Sequence, residues 1–290
     1  MTFAMNESAV PSTHFTPKMV ALDIDGTLVD TAGNMPDEVH AAVRRVAEAG
    51  VPVVLATGRG WLATQPIFEM LGLPQGWSVS ANGAVIVHNP PFRLVHEVLF
   101  DPRETIEKVA QVLPTARLCV ERGLVRYASR PFPEGELMGE VHIVELEELC
   151  AHPVSRLIIR EPERDGDDVF HELVTELGMH DVSYFVGWSA WLDIAPLGID
   201  KSTGLQMVCD DLGISASDVL AIGDGHNDVE MLRWAGRGVA MGQAPDEVKA
   251  SADWVTDAFD DLGTVRELDR WFGNPAQRAA AADRRRPIRA

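Results

Sequence analysis

Cysteine is scarce: the 290-residue chain has three, Cys119, Cys150 and Cys209, far apart and without a CxxC pair. Neither a disulfide framework nor a zinc site is indicated, and the thiols read as buried and free. Basic charge is also short, with 25 Lys and Arg against 44 Asp and Glu, a formal charge of −19. A surface of that sign repels a phosphate polymer or an anionic bilayer. Nucleic acid and membrane are therefore excluded as the main partner, and any phosphate ligand needs a local basic patch. No apolar run approaches the length of a membrane span, and residues 1–17 lack the basic start and apolar core of a secretory signal. The expectation is a cytoplasmic protein. The remainder is ordinary for a globule: 46% apolar residues can fill the core of one large domain or two moderate ones.

Residues 1–17 carry Ser, Thr, Asn and Pro without periodicity and read as a disordered lead-in. From Lys18, short apolar runs alternate with helical spacing. A strand ending at Leu22 is followed by Val39, Val43 and Val46 between Pro36 and Gly50, then by the strand 52–56 and a helix toward Leu71. Residues 78–87 read as a third strand, an Asn-Gly turn and a further strand leaving the sheet. The pattern resumes with a helix over 201–212, the strand 219–222, a helix through Trp234 and a small strand over 238–241. This alternation predicts an α/β fold, a Rossmann-like parallel-sheet core with right-handed crossovers, built from residues 18–87 and 196–272. Between them, residues 88–195 have clustered prolines, strands at 117–122, 124–128, 156–160 and 182–186, and helices at 102–113 and 167–177. That is an inserted α+β cap domain. Residues 273–290, rich in Ala and Arg, read as a flexible basic tail.

The chemistry concentrates at strand ends. Val20-Ala-Leu-Asp23-Ile-Asp25-Gly-Thr27 ends an apolar run in two carboxylates one residue apart. Strand alternation would aim both at one small volume, where their like charges need a cation or a shared proton. Asp224 follows its own strand in Gly223-Asp224-Gly225-His226-Asn227-Asp228. In an open parallel sheet, ligands bind outside the carboxyl ends of strands, so Asp23 and Asp224 can meet there. Such hard oxygen donors select Mg²⁺, whereas His226 reads as solvent-facing. Thr57 ends a strand and Gly58 is expected to open a helix, offering a hydroxyl and backbone N–H groups to a phosphate. Gly58, Gly60 and Ala63 also fit a dinucleotide pattern, but no acidic residue stands near Val79 or Ser80 to hold the ribose, which argues against nicotinamide. Lys201 begins a helix and brings an ammonium group toward Asp23. In the insertion, Trp188, Trp191, Tyr184 and His142 are candidates for contact with a sugar or base, against the commoner role of aromatics as core.

The ordered set Asp23-Ile-Asp25-Gly-Thr27, Thr57-Gly58-Arg59, Lys201 and Gly223-Asp224-Gly-His-Asn227-Asp228 resembles the haloacid dehalogenase superfamily over residues 18–272. Asn82-Gly83 and the stretch Val239-Ala-Met-Gly-Gln-Ala-Pro resemble its Cof-like branch with a type IIB cap, although Gln243 stands where that branch usually has Asn. The resemblance implies a Mg²⁺-dependent phosphatase of small phosphorylated metabolites. Asp23 would be nucleophile and metal ligand, and Asp25 the acid/base and a metal ligand through its backbone carbonyl. Asp224 would be the remaining metal ligand, Thr57, Gly58, Lys201 and Asn227 would bind phosphate, and Asp228 would support them. A phosphomutase shares these motifs, and a non-enzymatic aspartyl-phosphate switch is the other alternative.

Overall fold

The computed structural model describes residues 15–137, 139–161, 182–186 and 191–282, with 182–186 described as backbone only. Its first sheet has eight strands in the order β14-β13-β12-β1-β2-β3-β4-β5. These are β1 (Met19–Leu22), β2 (Val53–Ala56), β3 (Gly76–Ser80), β4 (Val85–Asn89), β5 (Arg93–Glu97), β12 (Val219–Gly223), β13 (Arg237–Ala240) and β14 (Trp254–Val255). The six strands from β14 to β3 are parallel, and β4 and β5 add antiparallel to β3. Strand alternation assigns the two faces. Val20 and Leu22 pack with Val39, Val43 and Val46 of α1 (Asp37–Glu48) and with Phe68 and Leu71 of α2 (Trp61–Leu71). Met19 and Ala21 pack with Leu205 and Val208 across the sheet. Covered on both faces, β1 has no polar residue, as a central parallel strand requires.

The second sheet has the order β10-β11-β9-β6-β7-β8. Its strands are β6 (Arg117–Arg122), β7 (Val125–Ala128), β8 (Val141–Ile143), β9 (Arg156–Arg160), β10 (Val182–Val186) and β11 (Trp191–Pro196), with α3 (Arg103–Val112) and the short α4 (Leu146–Leu149) beside it. Ile106 and Val109 of α3 join Leu118, Val120, Leu157 and Ile159 in a separate core.

Four boundaries differ from expectation. The strand after the Asn-Gly turn does not leave the first sheet: β4 pairs with β3 and β5 with β4, so the first ten residues assigned to the insertion belong to the core sheet. Strand pairing is set by partners distant in sequence, which local pattern does not report. At the amino end, Phe15 meets Trp271 edge-on at 5.2 Å and Pro17 is buried, so the lead-in stops short of residue 17; residues 1–14 lie outside the described ones. The tail begins with a helix, α7 (Pro275–Ala282), packed on α6 (Gly263–Phe272). Asn274 accepts from Ala276 N and Gln277 N at 3.0 Å, and Pro275 fills the first helical position, an N-cap with a pre-set φ. Lastly, Gly60 caps α2, so the helix starts at Trp61 and not at Gly58. The helix expected over 167–177 and residues 283–290 lie outside the described residues.

Candidate active site

β1 and β12 are neighbours in parallel register, with Leu22 opposite Ile222, so their following residues Asp23 and Asp224 emerge together at the carboxyl edge of the sheet. The chain runs from β1 to β2 on one side and β12 lies on the other, which makes this edge a topological switch point. Beyond Leu22 the backbone turns: Gly26 has φ +74°, and a Cβ there would collide with the Asp224 carboxylate. Alternation ends with the strand, and the two motif carboxylates do not share one volume. Asp23 is 4% exposed. The Asp25 side chain is 51% exposed and is gripped at both oxygens by Arg59, Nε to Oδ2 at 2.9 Å.

Lys201 is the first residue of α5 (Lys201–Leu212) and is fully buried. Asp200 fixes the helix start with a capping box, its carboxylate accepting from Thr203 N at 3.0 Å while its own N–H donates to the Thr203 hydroxyl at 3.0 Å. An ammonium at the positive end of a helix is unfavourable. Here it is offset by two carboxylates, Asp23 Oδ1 at 2.7 Å and Asp228 Oδ1 at 2.6 Å. Burial works against the lysine's charge, but Asp228 and Asp23 outweigh it and raise its pKa. The second oxygen of Asp228 accepts from Asp224 N and Gly225 N, both at 2.9 Å. Both Asp228 oxygens are thereby engaged, and the residue orients Lys201 and the Asp224 loop. His226 is exposed beside Glu247, as expected.

Ligand oxygens of Asp23, Asp224 and Asp228 lie within 4.8 Å of one another. Three buried carboxylates face one ammonium, so the cluster carries excess negative charge, and its donors are all hard oxygens. Burial raises Asp23 well above the usual carboxylate range, against Lys201 and with help from Asp228 and Asp224. Burial, then Asp228, lifts Asp224 to about 6. These features fit a divalent cation held by Asp23 and Asp224, since both oxygens of Asp228 are already engaged.

A raised carboxyl pKa means that the folded state binds the proton more tightly than the unfolded chain. Without metal, stability should therefore fall as pH rises from the ordinary carboxylate value toward about 6. Melting in chelator at pH 5 and 7.5 should show the higher Tm at pH 5, and Asp224→Asn should flatten the difference. An identical slope in the variant would remove Asp224 as its source.

The predicted phosphate seat is a loop. Thr57 is buried, its N–H donates to Val79 O, and its hydroxyl accepts from Arg59 N at 3.1 Å. Gly58 is half-buried, with the amides of Asn82 and Asn227 over it, and Asn227 Nδ2 donates to Asn82 Oδ1 at 2.9 Å. All the predicted site residues thus gather at one sheet edge, with the Asp25 side chain turned to its side. Three neighbours had no assigned role in the sequence. Arg59 belongs to the Thr57-Gly58-Arg59 motif, Asn82 marks the branch, and Gln243 departs from the branch's usual Asn. Gln243 Nε2 donates to Gly26 O at 2.7 Å and Asp224 Oδ2 at 3.2 Å, while its Oε1 accepts from Phe259 N at 2.9 Å. One side chain thus ties together three loops. In the insertion, Trp191 packs edge-on against Phe132 and His142 lies beside Tyr127. Trp188 and the Tyr184 side chain lie outside the described residues.

A model of the haloacid dehalogenase-like hydrolases matches residues 20–268. The chain is 29% identical over 256 residues to a Bacillus subtilis 5-amino-6-(5-phospho-D-ribitylamino)uracil phosphatase, covering 88% of this chain and 95% of that one. It is also 29% identical to the HMP-PP phosphatase of Serratia proteamaculans, covering 89% and 96%. Among solved structures, a phosphatase of the haloalkanoate (HAD) superfamily from Bacteroides thetaiotaomicron is 26% identical with a TM-score of 0.73, covering 92% of this chain and 99% of that one.

Proposed function

The chain belongs to the haloacid dehalogenase-like hydrolases and is a phosphatase, and from that premise we propose that it hydrolyses small phosphorylated metabolites, sugar phosphates or nucleotide-like compounds, through a phosphoryl-Asp23 intermediate with Mg²⁺. The observation that carries this reading is the contrast between its two motif carboxylates: Asp23 buried against Lys201, Asp25 half-exposed against Arg59. Lys201 takes Asp23 Oδ1, which leaves Oδ2 for in-line attack on phosphorus. The ammonium also lowers the repulsion between that carboxylate and a phosphate dianion. Thr57, Gly58 and Asn227 hold the phosphoryl oxygens, so that positioning and charge neutralisation supply most of the rate. Asp25 delivers a proton to the leaving oxygen and then accepts one from the water that opens the acyl phosphate. Its grip on Arg59 must part for the first step. When bound, Mg²⁺ supplies further neutralisation at Asp23, Asp224 and the Asp25 carbonyl. The substrate class rests on relatives named for phosphatase activity on a phosphoribitylamino-uracil, on HMP-PP and on phosphoglycolate.

Excess chelator should stop phosphate release from a panel of phosphorylated metabolites, and Mg²⁺ should restore it. Ca²⁺ should substitute poorly, because its larger and more variable shell misplaces the phosphate. Full activity in chelator would remove the metal, and no release from any member would remove the phosphatase reading.

A further inference from the structure

Three consecutive residues, Ala81, Asn82 and Gly83, have φ of +51°, +50° and +107°. Only glycine adopts this region freely, and each non-glycine residue there is strained and must be held in place by its surroundings. Ala81 N donates to Arg59 O at 2.8 Å and Asn82 N to Thr57 O at 3.0 Å, tying the turn to the phosphate loop. On its other side, a Cβ on Gly83 would collide with the Asp200 carbonyl at the start of the lysine helix. The turn is wedged between the loop that seats phosphate and the helix that presents Lys201.

The strain delivers one side chain. Asn82 is 2% exposed, and its carboxamide lies over Gly58, where a Cβ would stand 3.3 Å from Nδ2. Its Oδ1 is taken by Asn227 Nδ2, while its own Nδ2 donates to no described residue. That N–H stands beside Gly58 and is open to an acceptor that a ligand supplies. A phosphoryl oxygen seated on Thr57 and Gly58 is the acceptor of matching charge, and an N–H bond to a charged oxygen is among the stronger kinds.

We propose that Asn82 is a further phosphate-binding residue: its side-chain N–H donates to an oxygen of the phosphoryl group on Gly58, while its Oδ1 holds Asn227 in orientation. This rests on reading the Thr57–Gly58 loop as the phosphate seat. The direct donor role separates it from a purely structural brace.

The test is binding of inorganic phosphate in the presence of Mg²⁺, by calorimetry, with KM and kcat on a hydrolysed substrate alongside. Asn82→Gly keeps the left-handed backbone and removes the amide. Asn82→Asp keeps shape and backbone tolerance but replaces the donor with a charge that repels phosphate, and serves if the glycine variant fails to fold. Asn82→Gly should weaken phosphate binding about tenfold to a hundredfold, the range for one bond to a charged group, and Asn82→Asp should weaken it further. Asn82→Gly/Asn227→Ala should bind more weakly than Asn227→Ala alone. Undiminished phosphate affinity in a folded Asn82 variant, or a double variant equal to Asn227→Ala, overturns the proposal. Wild-type protein that neither binds phosphate nor hydrolyses any phosphomonoester instead overturns the phosphatase reading and this proposal with it.

Discussion

Asp23→Asn should lose turnover by at least about a thousandfold while remaining folded. Losses of that order or larger accompany removal of a nucleophile that acts as one unit with its neighbours. The amide keeps the volume, and its oxygen still accepts from Lys201, which bonds Asp23 Oδ1 at 2.7 Å in the native protein. What disappears is the attacking oxygen and one of three crowded carboxylates. The metal-free variant should therefore melt at or above the native temperature, since removing a like charge from a buried acidic cluster relieves repulsion that served catalysis. Phosphoenzyme should no longer form on brief exposure to labelled substrate. A variant that keeps more than about a hundredth of native turnover would transfer the nucleophile to another residue.

Asp25→Asn should divide the two chemical steps according to the leaving group. A sugar alkoxide needs a proton to depart, so with sugar phosphates the first step should fail and no phosphoenzyme should accumulate. A p-nitrophenolate needs little such help. With p-nitrophenyl phosphate the first step should survive in part while hydrolysis of the intermediate, which needs a base for water, slows more. Rapid quench should then record a burst of nitrophenol approaching one equivalent per site, followed by a slow steady rate. Arg59 grips the Asp25 carboxylate at both oxygens, so the amide also loses half of a bidentate pair. Equal slowing with both substrates and no burst would mean that Asp25 serves by holding Arg59 or the turn.

Much of the core was legible because buried parallel strands announce themselves as short apolar runs stopped by functional polar residues. Met19–Leu22 ends where the sequence indicates and Val219–Gly223 one residue later, and the alternation with helices indicates a parallel sheet. The direction of Asp25 was not legible: alternation holds only within a strand, and the strand ends one residue before Asp23. The end of β4 and all of β5 read as insertion because a strand's pairing partner, not its own pattern, decides its sheet. The second helix starts at Trp61, after Gly60 and not at Gly58, and the expected tail opens as a helix at Pro275, capped by Asn274. In the site, the short acidic residues at strand ends were found. Arg59, Asn82 and Gln243 went without roles because each acts across loops far apart in sequence, a reach that depends on tertiary placement and leaves no period.

The segment that returns from the inserted domain runs from Pro196, the last residue of β11, to Lys201, the residue that bonds Asp23. So short a tether would transmit any sway of the insertion directly into the ammonium partner of Asp23. Asp200 stands between them as a clamp: its carboxylate takes Thr203 N and the Ser202 hydroxyl, and its carbonyl takes the Thr203 hydroxyl while lying flush against Gly83. Motion on the insertion side is grounded there, in the way a cable is strain-relieved before its connector. Any displacement arriving from the insertion meets that clamp before it reaches the Lys201–Asp23 pair.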